Sequence, residues 1–287
     1  CIILLLAVLT PLGVVVNGSQ SWFAIGGFQI QPAEFTKVAV IVLCAAVCER
    51  ARGRLGPGGV LLTLVLAAVP LGLILKQPDV GSAMVFIAVA AALLLVAGAS
   101  PRMLVAMSLI GVVGLIAVFQ FDLIEDYQKD RLTNFAQPGG VDIAGSGYNV
   151  TQSKTAIGAG GLTGAGLFQG TQTKLQYVPE QQSDFIFTVV GEELGFMGCA
   201  TLLVLYCVIA WRIWRAAQVA KDLLGTLICV GVLAMVLFQV FENVGMTMGI
   251  MPITGIPLPL MSYGGSSMLT MFAAIGLVLN VHTRRFS

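Results

Sequence analysis

The chain has 287 residues, of which 57% are hydrophobic and only 10% charged, with a net charge of +1 and a mean hydropathy of +0.93. A soluble domain carries about 25% charged residues, so a water-soluble globular protein is excluded and a polytopic membrane protein is indicated. Neither an acidic nor a basic surface follows from such a balance, and nucleic acid is not expected as a partner.

Roughly 20 apolar residues cross a bilayer. Taken in chain order, the apolar runs predict eight spans at about 1–16, 34–50, 58–75, 79–99, 103–121, 184–211, 222–248 and 263–283. The fold class expected is therefore all-α, a membrane helix bundle forming one integral domain over 1–287. The first run starts at Cys1 without a Met or a basic stretch, which reads as a cut inside or just before a helix rather than a signal peptide.

Charge sets the orientation. Arg50, Arg52, Arg54, Arg102, Arg212, Arg215, Lys221, Arg284 and Arg285 fall in alternate connections. Lys37, Lys76, Lys129, Arg131, Lys154 and Lys174 fall on the opposite side, four of them in one long loop. Short connections decide orientation, so the nine-residue side is cytoplasmic and the loop 122–183 lies outside. That loop holds ten glycines between Gly139 and Gly170, yet also Phe135, Tyr148, Ile157, Leu162, Leu167, Phe168, Leu175 and Tyr177. A disordered tether lacks such apolar residues, so the loop is expected to pack partly on the bundle. Its glycine pattern at 158–164 does not fit GxGxxG, and no GxxxxGK[ST] occurs.

The acids sort by depth. Glu34 and Lys37, at i and i+3, share a helix face and can pair. Asp79 and Asp184 each precede an apolar run. Either could be a simple N-cap worth ~1 kcal/mol, or part of a site at the outer mouth, where Glu34, Lys37, Asp79 and Asp184 could converge. Glu192 and Glu193 lie ~12 Å deeper along the same helix and read as structural, paired within the bundle or with backbone groups; Glu242-Asn243 reads the same way. Charge in a span costs roughly 2.5–3.5 kcal/mol at the helix centre, which makes each such residue a functional hypothesis. Cys1, Cys44, Cys48, Cys199, Cys207 and Cys229 all sit in apolar runs, and His282 has no metal-ligand company.

Pro252, Pro257 and Pro259 remove backbone donors, so 251–260 cannot be regular helix. The restart Ser262-Tyr-Gly264-Gly265-Ser266-Ser267 offers hydroxyls and free N–H groups at a helix N-terminus. It could be a phosphate cradle or a tight restart with no ligand. The residues alone thus describe an outward site with a carboxylate, cations and a phosphate cradle in outline, suited to a lipid-linked substrate or a transported ion.

Longer motifs add to this. Gln31-Pro-Ala-Glu-Phe-Thr-Lys37, Lys76-Gln-Pro-Asp-Val-Gly81, Gln152-Ser-Lys-Thr-Ala-Ile-Gly158, Gly170-Thr-Gln-Thr, Pro179-Glu-Gln-Gln-Ser-Asp-Phe-Ile-Phe187, Gly191-Glu-Glu-Leu-Gly195 and Pro257-Leu-Pro-Leu-Met-Ser-Tyr-Gly-Gly-Ser-Ser267 resemble, from end to end of the chain, the SEDS family of shape, elongation, division and sporulation proteins. Gly170-Thr-Gln-Thr is more similar to the elongation branch than to the division branch. The family has ten spans, so the resemblance implies that the first two are missing here.

It further implies a peptidoglycan glycosyltransferase acting on lipid II, a disaccharide-pentapeptide on undecaprenyl pyrophosphate, at the outer face of the bacterial cytoplasmic membrane. The family's essential aspartate falls on Asp184; its Glu and Lys fall on Glu34 and Lys37, and its QPD aspartate on Asp79. Where the family often has His-Thr-Asp, this chain has Gln182-Ser-Asp184. Asp184 is then the catalytic candidate. Glu34, Lys37, Asp79, Arg131, Lys154, Ser262, Ser266 and Ser267 are substrate-binding candidates, and Pro257, Pro259, Gly264 and Gly265 are structural. A divalent cation, Mg²⁺ or Mn²⁺, could serve the pyrophosphate. The implied partners are membrane lipid and a class B penicillin-binding protein, a transpeptidase. Ala88, Ala91, Ala92, Gly191, Gly195 and Gly198 would permit close helix approach, to it or within the bundle. A lipid II flippase or other transporter, and a pure scaffold, are the competing classes.

Overall fold

The structure, a computed structural model, describes residues 1–16, 19–25, 28–50, 55–107, 109, 111, 146–175 and 177–285. The expected span at 103–121, most of the loop start and Arg131 therefore lie largely or wholly outside the described residues. The chain packs as two compact units: Cys1–Leu104 with Val208–Gln239 and Gly264–Ser287, and Val105–Cys207 with Val240–Tyr263.

The first unit begins with α1 (Ile2–Val8), followed by strands β1 (Val14–Val16), β2 (Ser19–Ile25) and β3 (Phe28–Ile30). The expected span over 1–16 is corrected here. The helix stops at Val8, because Pro11 cannot continue it, and the β-branched run Val14–Val16 pairs with β2 instead. The three strands form one antiparallel sheet in the order β1-β2-β3, with Val16 opposite Ser19 and Ile25 opposite Phe28. Among the described residues the remaining regular structure is helical, and the architecture is that of a polytopic membrane protein.

Helix α2 (Pro32–Arg50) opens on Pro32 with Glu34 in its first turn and Arg50 in its last. Both charges complement the helix dipole. α3 (Pro57–Leu75) also has proline at its start and carries Pro70 inside. α4 (Val80–Val96) starts after Asp79, whose carboxylate accepts from Ser82 N. The core between them is closed by Ile41, Cys44, Ile74, Phe86, Leu93 and Leu94, all nearly fully buried.

In the second unit, α5 (Ser146–Gly160) and a short α6 (Thr171–Lys174) precede α7 (Ile186–Gln218), whose end from Val208 belongs to the first unit. α8 (Leu223–Thr247) and α9 (Gly265–Arg284) complete the chain. Among the described residues, α3, α7, α8 and α9 are long and apolar enough to cross a membrane, and α4 is a shorter apolar helix. α7 is helical in two pieces, since Gly195 breaks it with φ 64° and ψ −162°.

A break in lipid strands backbone groups at several kcal/mol each. Here the glycine-rich turn after α5 takes them up. Ala165 N and Gly166 N donate to the carbonyls of Glu192 and Glu193, while Phe196 N and Met197 N donate to those of Gly161 and Leu162, all within 2.9–3.1 Å. The approach is so close that a Cβ at Gly164 would fall on the Glu193 carbonyl, and one at Gly160 on that of Gly191. Ser153 adds a polar tie, bonding Thr188 Oγ1 and the Thr247 carbonyl. Gly191 and Gly195 are thus occupied within the unit by residues 157–164.

Candidate functional site

Polar clusters lie in both units. In the first, Lys37 Nζ donates to Glu34 Oε1 at 2.6 Å. Both residues are almost completely buried, at 2% and 3% exposure, so neither charge faces open solvent. A buried pair of this kind is strongly destabilised by removing one partner. Asp79 is engaged at both oxygens: Oδ1 caps α4 through Ser82 N, and Oδ2 accepts from Gln31 Nε2 at 2.9 Å. Gln31 is tied further, its N–H donating to Ser266 Oγ, which in turn donates to the Gln29 carbonyl. Ser267 Oγ donates to the Gly264 carbonyl at 3.0 Å. Gly264 is the N-cap of α9, with extended φ. The restart of α9 is thus linked through Ser266 to β3 and to the start of α2.

Asp184 belongs to the second unit. It lies two residues before α7, in a turn where the N–H groups of Ser183, Asp184 and Phe185 all point to the Glu180 carbonyl. The following carbonyls are held from outside the turn. Tyr263 N donates to the Gln182 carbonyl at 2.8 Å, Ser262 Oγ donates to that of Ser183, and Asn243 Nδ2 to that of Asp184 at 2.8 Å. The same Nδ2 reaches the Ile256 carbonyl at 2.8 Å. Asp184 itself is half-buried. A Cβ at Gly255, where φ is +73°, would stand 3.3 Å from Asp184 Oδ2, so the carboxylate rests against bare backbone.

The irregular segment around Pro257 and Pro259 is fixed by side chains. Leu258 N donates to Ser262 Oγ at 2.7 Å, and Tyr206 OH donates to the Pro259 carbonyl. Thr254 Oγ1 donates to the buried Glu242 at 3.0 Å. Lys154 is exposed on α5, its ammonium lying against Gly249. Glu192 receives three bonds, from Gln172 N, Thr173 N and Thr173 Oγ1, at 2.6–2.9 Å. Glu193 is buried, and its carbonyl serves the break in α7.

The structure therefore joins Glu34 with Lys37, Asp79 with Gln31, and Asp184 with Asn243, Gly255 and Ser262. Gln31 and Asn243 were not singled out as site residues by sequence reasoning. Gln31 heads the motif that carries Glu34, and Asn243 was a polar residue in an apolar span, so both left a signal. Among the described residues, no three of His, Cys, Asp and Glu group as a metal site. Magnesium is commonly held by one or two carboxylates with substrate phosphates, which Asp184 alone could satisfy.

The chain is similar to known proteins over nearly its whole length. The sequence model of a family described as cell cycle protein, covering FtsW, RodA and SpoVE, matches residues 1–286. Stage V sporulation protein E of Bacillus subtilis (strain 168) is 40% identical over 290 residues, covering 98% of this chain and 76% of that protein. Peptidoglycan glycosyltransferase MrdB of Escherichia coli (strain K12) is 38% identical over 291 residues, covering 99% and 76%. A chain from a solved peptidoglycan synthase complex, in which polymerization and crosslinking are coordinated, superposes with a TM-score of 0.82 at 31% identity, covering 100% of this chain and 79% of that one.

Proposed function

The chain belongs to the SEDS family, the FtsW, RodA and SpoVE cell cycle proteins, and from that premise we infer that it is a peptidoglycan glycosyltransferase. It polymerises lipid II at the outer face of the cytoplasmic membrane. The Lys/Arg distribution supports that orientation. The observation that carries the reading is the setting of Asp184, a half-buried carboxylate on a turn pinned at three successive carbonyls.

The donor sugar is α-linked to pyrophosphate and the product bond is β-1,4, so the anomeric centre inverts. A single displacement achieves this with one base and no covalent carboxylate intermediate. Asp184 takes the proton of the acceptor hydroxyl as the hydroxyl oxygen bonds the anomeric carbon; the bond from that carbon to the pyrophosphate oxygen breaks, and the pair leaves with the pyrophosphate. Lys154, exposed in the same unit, and Arg131 are the cations proposed for that leaving group. A divalent cation held by Asp184 would instead activate the acceptor hydroxyl as a Lewis acid, with the carboxylate as its anchor.

A transporter would use unwound backbone at a broken helix to hold its cargo. At the break at Gly195 the carbonyls of Glu192 and Glu193 and the N–H groups of Phe196 and Met197 are already taken by residues 161–166, which disfavours such a use. Similarity at 40% to a sporulation protein and 38% to MrdB does not separate the family's branches. Service in cell elongation is the finer proposal and rests on Gly170-Thr-Gln-Thr. The superposed synthase complex supports a crosslinking partner, for which we propose a class B penicillin-binding protein.

The test is lipid II polymerisation by purified protein. Asp184→Asn keeps the shape and loses the charge, and should lower the rate by at least ~100-fold, the low end for a lost general base. Near-normal polymerisation by this variant would remove Asp184 from the mechanism.

A further inference from the structure

The turn carrying Asp184 is held by two side chains whose chemistry suits little else. Asn243 is completely buried in α8, an expensive place for an amide unless its hydrogens are used. Both are. One nitrogen donates to the Asp184 and Ile256 carbonyls, each at 2.8 Å. Only a primary amide presents two hydrogens from one atom at that reach; Asp, Ser or Leu cannot. The two acceptors also fix which end of the amide points where. Ser262 completes the hold. Its hydroxyl hydrogen is committed to the Ser183 carbonyl, while its oxygen accepts Leu258 N at 2.7 Å.

Asp184 is therefore gripped through its own carbonyl and the one before it, with its carboxylate laid against Gly255. We infer that Asn243 and Ser262 are positioning residues that aim the Asp184 carboxylate at the acceptor hydroxyl. The inference rests on the reading of Asp184 as the base. It gives Ser262 a different task from the phosphate contact expected from sequence. Misplacing a reacting group by about 1 Å can cost about 100-fold in rate, so holding the turn matters to turnover and not to substrate binding.

The experiment uses full-length protein in detergent, with lipid II as substrate, and two readouts. Hydrogen exchange of peptides covering 180–185 reports the hold itself, and polymerisation kinetics report its use. Asn243→Asp preserves shape but removes both donors; Ser262→Ala removes one, and Ser262→Thr restores a hydroxyl. Asn243→Asp should speed exchange at 183–185 and lower kcat by about 100-fold while leaving KM close to the parent value. Ser262→Ala should act in the same direction, with recovery in Ser262→Thr. In an Asp184→Asn background, adding Asn243→Asp should cause no further loss, since the aimed group is already gone.

Unchanged exchange in both Asn243→Asp and Ser262→Ala overturns the hold, whatever the activity. Faster exchange with a rise in KM alone, or an additive loss in the double variant, overturns the positioning role. Faster exchange together with an active Asp184→Asn refutes the reading of Asp184 instead, and the aiming role falls with it. If Asn243→Asp does not accumulate as folded protein, the Ser262→Ala and Ser262→Thr pair decides.

Discussion

Removing Glu192 tests whether a buried acid in a membrane helix is there to satisfy backbone rather than to do chemistry. Its carboxylate accepts from the N–H groups of Gln172 and Thr173, the first residues of α6 after Thr171, and from the Thr173 hydroxyl. Glu192→Ala leaves two backbone N–H groups without that acceptor; the hydroxyl can rotate to another. An orphaned buried donor costs about 1–3 kcal/mol. Gln172 and Thr173 are only half-buried, so the lower end applies and the two sum to about 2 kcal/mol. At roughly 2–4 °C per kcal/mol, the unfolding midpoint in detergent should fall by about 4–8 °C. Glu192→Gln, which keeps one carbonyl acceptor, should fall about half as far. A Glu192→Ala midpoint within about 1 °C of the parent, against that expected shift, would refute the reasoning and return Glu192 to the list of functional acids.

Gly164→Ala combines a left-handed φ of +81° with a Cβ placed on the Glu193 carbonyl; it should destabilise by about 3 kcal/mol or more, read as thermal unfolding. Gly158→Ala, with nothing within 4 Å of the new Cβ, should instead be neutral or stabilising by up to about 1 kcal/mol. Gly255→Ala, at a φ of +73°, should cost about 1–2 kcal/mol of stability and, in the protein that folds, slow polymerisation by about 10- to 100-fold, because its methyl crowds Asp184 Oδ2; normal turnover of the folded variant would show that the carboxylate does not need that space. Glu34→Lys and Lys37→Glu should each destabilise by about 3–5 kcal/mol. The double exchange should recover stability, and full recovery of polymerisation as well would assign the pair to structure, since a phosphate contact at Lys37 does not survive reversal.

Much of this was readable in advance because polar residues in apolar runs are conspicuous. Asp184, the Pro257–Pro259 interruption and the Ser262–Ser267 restart stand out against lipid-compatible sequence. What escaped reading was decided by packing. Val14–Val16 fits an apolar span as well as a strand; Asn17-Gly18 next to it, a strong hairpin signal, was the feature that argued for strands. Ser146–Gly160 has the small, polar composition of a loop, and its helix makes sense only with α7 beside it, where Ser153, Ala156 and Gly160 are buried. The glycines at 191 and 195 signalled close approach, but not that the helix breaks at one of them, since a positive φ leaves no mark in composition. The Asp79 carboxylate, left open between cap and site, caps α4 and also meets Gln31.

The mended break in α7 also bears on how the protein is made. A membrane helix interrupted within its length would be stranded if it entered lipid before its mending segment existed. Residues 161–166 precede 192–197 by about thirty positions, and synthesis runs from the N-terminus. The turn is therefore already present when the two halves of α7 emerge, and the pairing is short-range along the chain, which favours rapid closure. The order of segments in the gene thus spares the growing chain an exposed-backbone stage that the reverse order would impose.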